Sequence, residues 1–214
     1  MAAHIQGELY YETLGRSGPP MVFINPMDQR CWLYQMTHMS TWYRTIGVDL
    51  PGYGRSPKCD SGVTKYDLAE AVWEAVDAAG LGGEPAVLVG CSAGSSVAPH
   101  MFHVRPQQTA ALVLSGTGYT PPGEPGIGPK RINDYTTRGG LDFRADFTHQ
   151  DLSPAFRTTP MAHYFANLFM ERTQWADLDS IIHMFEAPNA GEGFYAKITC
   201  PATILTGSEA GAHQ

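Results

Sequence analysis

The chain has 214 residues, enough for one substantial core or a core with a small added layer. At 43% hydrophobic and 16% charged it is composed like a globular protein, which excludes disorder as the default. Its net charge of -7, with no Lys/Arg run and no basic helix, excludes nucleic acid and anionic membranes as expected partners.

Met1 to Leu14 is polar and alternating, without the apolar run of a leader. Within it, Ile5 to Tyr11 reads as strand material broken at Gly7. Gly15 to Pro20 is a turn, and Met21-Val22-Phe23-Ile24 is a short buried strand. Trp32 to Tyr43 reads as helix. Arg44 to Asp49 gives another strand, ended by Pro51-Gly52-Tyr53-Gly54. Thr64 to Leu81 is the clearest helix: Thr64 and Asp67 form a capping-box pair, apolar residues recur from Leu68 to Ala79 at helical spacing, and Gly80, Gly82 and Gly83 close it. Ala86-Val87-Leu88-Val89 is the continuous apolar run of a central parallel strand. Ser95 to Val104 continues as helix, and Ala110 to Leu114 is a strand. No stretch is long and apolar enough for a membrane span, and the simplest location is cytoplasmic. Cys31, Cys59, Cys91 and Cys200 lie too far apart for a disulfide framework or a zinc site and read as reduced thiols.

Alternating strands and helices argue for an α/β fold with a mostly parallel sheet covered on both faces. The composition changes after Tyr119. Thr120 to Pro129 is rich in proline and glycine, and a helical, aromatic-rich stretch follows, with Phe143, Phe147, Phe156, Tyr164, Phe165, Phe169, Trp175 and Phe185. Those aromatics either line a substrate pocket or form the insertion's own core. Strand pattern returns at Ala202 to Leu205.

The chemistry centres on Gly90-Cys91-Ser92-Ala93-Gly94. A strand leads straight in and a helix straight out, so Ser92 must sit in a sharp turn. Small residues at 90 and 94 let neighbouring backbone approach without Cβ clashes. Such a turn lifts the Ser92 hydroxyl above the strand ends and places the Ala93 N–H to stabilise an oxyanion. Cys91, at the strand end, is expected to point into the core. Asp49 is expected to hydrogen-bond backbone around the Pro-Gly turn that it shares with Arg55, rather than to act as a catalytic acid. No glycine loop of the phosphate- or dinucleotide-binding type appears, so neither cofactor nor metal is expected.

Here the chain resembles the α/β-hydrolase superfamily over nearly its whole length. Met21 to Asp28 looks like the family's strand and oxyanion loop, and Gly47 to Ser56 is very similar to its strand-four signature. Gly90 to Gly94 is its nucleophile elbow, and Ile198 to Gly207 looks like its penultimate core strand. The resemblance implies a core over 1–118, a helical cap over 119–196 inserted after the sixth strand, and a return to the core over 197–214. It implies Ser92 as nucleophile, with the Met27 and Ala93 N–H groups as oxyanion donors. Asn25-Pro26 stands where the family commonly has His-Gly. In the loop after the penultimate strand, Ala210 occupies the usual aspartate place, and Glu209 is the substitute acid.

The family's histidine follows one more strand, whereas this sequence ends at Gln214. His100 and His103 lie on the helix after the elbow, where they are expected to pack or meet solvent. His149, His163 and His183 belong to the cap, and His213 lies in a loop expected on the catalytic face. The expectation is a fragment whose natural chain continues through a last strand, the histidine and a helix. The implied activity is that of an esterase-like serine hydrolase acting on a small, partly apolar molecule. Carbon–carbon bond hydrolysis, perhydrolysis and lyase chemistry share the frame. The alternative is a catalytically impaired ligand-binding relative or an inactive fragment.

Overall fold

The structure, a computed structural model, describes residues 4–25, 27–116, 126–139, 152–173 and 175–207. Glu209, Ala210, His149, His213, Phe143 and Phe147 lie outside the described residues, as does most of the Pro/Gly-rich stretch.

The strands are β1 (Tyr11–Leu14), β2 (Pro20–Asn25), β3 (Arg44–Asp49), β4 (Ala86–Cys91), β5 (Thr109–Ser115) and β6 (Ala202–Leu205). They form one sheet in the order β1-β3-β2-β4-β5-β6. β1 runs antiparallel to β3, and the remaining pairings are parallel. Between them lie helices α1 (Leu33–Met39), α2 (Lys65–Ala78) and α3 (Ala93–Val104). The α/β fold and mostly parallel sheet expected from the sequence are present.

Side-chain alternation along the strands builds two layers of core. Val22, Ile24, Ile46, Val48, Leu88 and Leu112 join Val72, Trp73 and Val76 of α2 and Val97 and Met101 of α3 in one buried cluster. On the opposite face Met21, Phe23 and Val89 pack with Met36 of α1. Trp73 is fully buried, and its indole N–H donates to the Met101 carbonyl at 3.0 Å, so α2 and α3 are locked together by an apolar and a polar contact at once. The capping box of α2 is present: Thr64 Oγ1 accepts from the Asp67 N–H at 3.1 Å, and the Asp67 carboxylate accepts from the Thr64 N–H at 2.8 Å.

Three boundaries differ from the sequence reading. The first strand is Tyr11–Leu14, and Ile5 makes only an isolated bridge to Cys59, because Gly7 at φ +142° breaks the extended run between them. A 3-10 turn, Gln29–Trp32, precedes α1, since the Asp28 carboxylate caps the Arg30 N–H at 2.9 Å and starts the coil early; α1 then stops at Met39. α3 begins at Ala93 rather than Ser95.

Helices α4 (Gly128–Thr137), α5 (Pro154–Arg157), α6 (Pro160–Thr173) and α7 (Leu178–Glu186) lie between β5 and β6 in the chain. Five strands precede them among the described residues. α4 and α7 are anchored in the main core, since Tyr135 and Ile181 are each 1% exposed and belong to its larger cluster. The turn after β3 receives α7 directly. The Cys59 N–H donates to Ser180 Oγ at 3.1 Å, and the Asp177 N–H donates to the Gly52 carbonyl at 2.7 Å. Gly52 has φ +74°, and a Cβ there would stand 2.5 Å from Ser180 Cβ, so glycine is required twice over. β6 is exposed along its whole length, with Ile204 66% exposed.

Candidate active site

The strand order reverses at the pair β2–β4: β3 lies on one side of it and β5 on the other. Connections leaving the carboxyl ends of β2 and β4 therefore diverge and open a crevice, the place where open α/β sheets bind ligands. Ile24 and Gly90 are register partners across this pair. Met27 and Ala93 each lie three residues beyond them in the chain.

Ser92 stands at the end of β4 with φ 52° and ψ -115°, the one non-glycine residue at positive φ among the described residues. That conformation costs a side-chain-bearing residue about 1–3 kcal/mol. Three hydrogen bonds hold it there. The Ser92 N–H donates to the Ser115 carbonyl at 2.9 Å, and the Ser92 carbonyl accepts from the Ser95 N–H at 2.9 Å and from the Ser95 hydroxyl at 2.5 Å. The side chain is exposed and makes no capping hydrogen bond. Ala93 is the first residue of α3, so its N–H has no acceptor within the helix and is aligned with the helix dipole's positive end. Gly90 makes the turn sterically possible: a Cβ there would lie 2.4 Å from the Gly94 carbonyl oxygen and 2.7 Å from the Ser95 nitrogen.

Cys91 is half-buried, and burial pushes its thiol pKa up, with the Ser115 side chain opposing in part. It is therefore the weaker candidate for nucleophile beside Ser92. Met27 is 3% exposed and belongs to the larger core cluster.

The residues after Met27 are held by buried charge, which the sequence reading did not find. The Asp28 carboxylate, 3% exposed, accepts from the Arg30 N–H, from the Arg30 guanidinium at 3.0 and 2.6 Å, and from Nη1 of Arg172 on α6. Asp49, 1% exposed, accepts from the Gln29 N–H at 2.5 Å and the Arg55 N–H at 3.1 Å, the turn-supporting role expected of it. Burial pushes its pKa from 3.8 to about 6; the two amide donors pull it down, and Asp28 pushes it up. Gly54, at φ +54°, leaves room for both carboxylates, since a Cβ there would lie 2.7 Å from Asp49 Cγ and 2.8 Å from Asp28 Cβ.

Among the described residues no histidine hydrogen-bonds to Ser92, and several are committed elsewhere. His100 is 4% exposed; its Nδ1–H donates to the Ser96 carbonyl at 2.8 Å, and its ring packs on Tyr66 and Phe194. His103 Nε2–H donates to the Phe194 carbonyl at 3.1 Å. His183 pairs with Glu186, and His163 is exposed.

His100 carries a prediction for stability. Burial lowers its pKa from 6.5 to about 4. Between those values the unfolded chain binds the proton more tightly, so stability falls as pH falls. Asp49 acts oppositely between pH 6 and 3.8, where the folded state binds the extra proton, and it offsets part of the loss. Replacing His100 with asparagine should therefore reduce the loss between pH 7 and pH 4.5 by on the order of 2 kcal/mol, although the ring's packing is forfeited. Urea unfolding of both proteins at the two pH values measures this, and an unchanged difference would refute it.

The insertion's aromatics fall in different surroundings. Phe185 packs against buried Tyr135 at 6.1 Å. Tyr164, 48% exposed, lines an open, mostly apolar cavity of about 270 Å³ with Tyr34, Pro160 and Met161, between α1 and α6. Among the described residues no cluster of His, Cys, Asp and Glu could hold a metal ion, and no helix is long and apolar enough to cross a membrane.

Residues 21–211 match the sequence model described as the alpha/beta hydrolase family. The AB hydrolase superfamily protein YisY of Bacillus subtilis is 29% identical over 215 residues, covering 93% of this chain and 76% of that protein. A thermophilic esterase from Thermogutta terrifontis superposes with a TM-score of 0.76 at 24% identity, over 92% of this chain and 74% of that one. The enol-lactonase of Burkholderia xenovorans superposes with a TM-score of 0.80 at 18% identity, over 95% of this chain and 80% of that one.

Proposed function

The chain belongs to the alpha/beta hydrolase family, and from that premise we propose that it is a serine hydrolase cleaving a carboxylic ester or a related carbonyl compound. The observation that carries the proposal is the backbone of Ser92. A non-glycine residue at φ 52°, braced by three hydrogen bonds and carrying an exposed hydroxyl at the head of a helix, is stored strain at a topological switch point.

In this reading Ser92 Oγ attacks the carbonyl carbon as its proton passes to a base. The carbonyl oxygen becomes an oxyanion, held by the Ala93 and Met27 N–H groups. The leaving alcohol takes a proton, and water then releases the acid from the acyl-serine by the same steps. A histidine outside the described residues serves as base, as the resemblance places it after β6. Glu209, also outside the described residues, is the proposed acid. The residues 119–196 act as a helical cap over the site, and the aromatic-rich composition of that stretch supports a substrate with some hydrocarbon character. The similar proteins named above include an esterase and a lactonase, which supports acyl transfer to water.

The test is release of p-nitrophenol from acyl esters of graded chain length. The proposal expects turnover with short to medium acyl chains that disappears when Ser92 is replaced. Turnover that survives the replacement refutes it.

A further inference from the structure

The helical insertion reaches the crevice through a buried ion pair. Arg172 lies in the last turn of α6, and its guanidinium meets the Asp28 carboxylate 144 residues away in sequence. The two side chains are 7% and 3% exposed. The Arg172 guanidinium also lies 3.8 Å from Cys31 Sγ, while its Nε is buried without a hydrogen-bond partner. A cation placed this way is poorly repaid. Desolvating two charges and orphaning one donor cancels most of the attraction, and an apolar pair would hold α6 at least as well. The arrangement is therefore better suited to fixing a position than to adding stability.

What it fixes is the residue next to Met27. Two anchors hold the segment after the Met27 amide: Arg172 on the Asp28 side chain, and Asp49 on the Gln29 N–H. Arg30 also binds Asp28, but from the surface, with half of its side chain in solvent. We infer that Arg172 is a positioning residue, through which the seating of α6 on Asp28 aims the Met27 N–H at the developing oxyanion. The inference rests on the serine-hydrolase reading and on the place given there to Met27. With α6 seated, the Met27 amide is held on its donor line. With the pair broken, the loop keeps only the Asp49 and Arg30 contacts and the amide drifts from that line. Displacements of about 1 Å at a catalytic group cost on the order of a hundredfold in rate, as does removal of one oxyanion donor.

The experiment compares the parent with Arg172→Met, Arg172→Lys and the double variant Asp28→Asn/Arg172→Met, which leaves no unpaired buried charge and guards against a simple failure to fold. For each, kcat and KM are measured on the best p-nitrophenyl ester. Affinity is measured for an alkyl boronic acid, which binds as a tetrahedral anion on Ser92, and for the matching amide, which binds as a neutral ground state. The expected result is a ten- to hundredfold fall in kcat for Arg172→Met and for the double variant. Boronate affinity should fall by the same factor, KM and amide affinity should change by less than threefold, and Arg172→Lys should recover part of the loss. The inference is overturned if kcat and boronate affinity stay within twofold of the parent, or if all four constants fall together with the folded fraction. A parent that neither turns over esters nor binds the boronate takes down the serine-hydrolase reading itself, and this inference with it.

Discussion

Replacing Ser92 with alanine is expected to abolish ester hydrolysis, by roughly a millionfold in kcat relative to the parent, while leaving the fold intact. The magnitude follows from the roles proposed for the site: the groups of an acyl-transfer centre act as a unit, and removing the nucleophile removes nearly all that they achieve together. Fold stability is a separate matter. Ser92 makes no side-chain capping hydrogen bond, so its removal forfeits no internal contact of that kind. Alanine at φ 52° is as strained as serine, and the change in stability should stay within about 0.5 kcal/mol. Glycine at the same position relieves the strain, so Ser92→Gly should be as inactive as alanine yet about 1 kcal/mol more stable than the parent. Chemical denaturation beside the kinetic assay reads both effects. A serine that served only to begin α3 would show the opposite pattern, with activity kept and stability lowered by substitution.

Gly90→Val should be nearly as damaging to activity, and for a different reason. Even the first carbon of the new side chain would stand 2.4 Å from the Gly94 carbonyl oxygen, 2.6 Å from the Gly94 carbonyl carbon and 2.7 Å from the Ser95 nitrogen. All three are backbone atoms of the first turn of α3, which cannot swing aside as a flexible side chain would. β4 and α3 must therefore separate, and Ser92 moves with them. Overpacking of this kind costs about 3 kcal/mol or more, which for a chain of this length lowers Tm by roughly 10 °C. The surviving folded fraction should turn over substrate at least a hundredfold more slowly, since the Ser92 hydroxyl is displaced by about 1 Å from its working place. Gly83→Ala is the control: no atom lies within 4 Å of a Cβ added there, and it should behave as the parent. Gly90→Val with unchanged Tm and turnover would show that β4 and α3 are not packed as tightly as described.

The elbow was legible because its information is local. Strand, turn and helix follow one another over consecutive residues, so Val87 to Val104 declares its geometry without knowledge of the rest of the chain. Asp49 was legible for the same reason, being tied to the Pro51–Gly54 turn that follows it. The parallel pairing of β2 and β4, the strands that precede Met27 and Ala93, needed only the inference of a parallel sheet, which the alternating pattern supplied. The Asp28–Arg172 pair was not legible. A single arginine on an aromatic-rich helix reads as a solvated charge, and nothing one-dimensional links positions 144 apart. Nor did periodicity show that α7 would seal against Gly52 through Ser180: the small polar residue packs there because a glycine at φ +74° leaves the space. Glu209 lies outside the described residues, and the resemblance places the histidine after one further strand, so the acid and base are assigned by resemblance alone.

Reaction with a fluorophosphonate tests the central claim most directly, because the reagent labels a serine only when its hydroxyl is activated and an oxyanion site receives the phosphoryl oxygen. The account predicts one label per chain, located by peptide mass spectrometry on Ser92 and absent from its neighbours Ser95 and Ser96. It also predicts that labelling is lost in Ser92→Ala. A protein that stays unlabelled, or that takes the label at another serine, would contradict the assignment and shift the weight to a ligand-binding role for the same crevice.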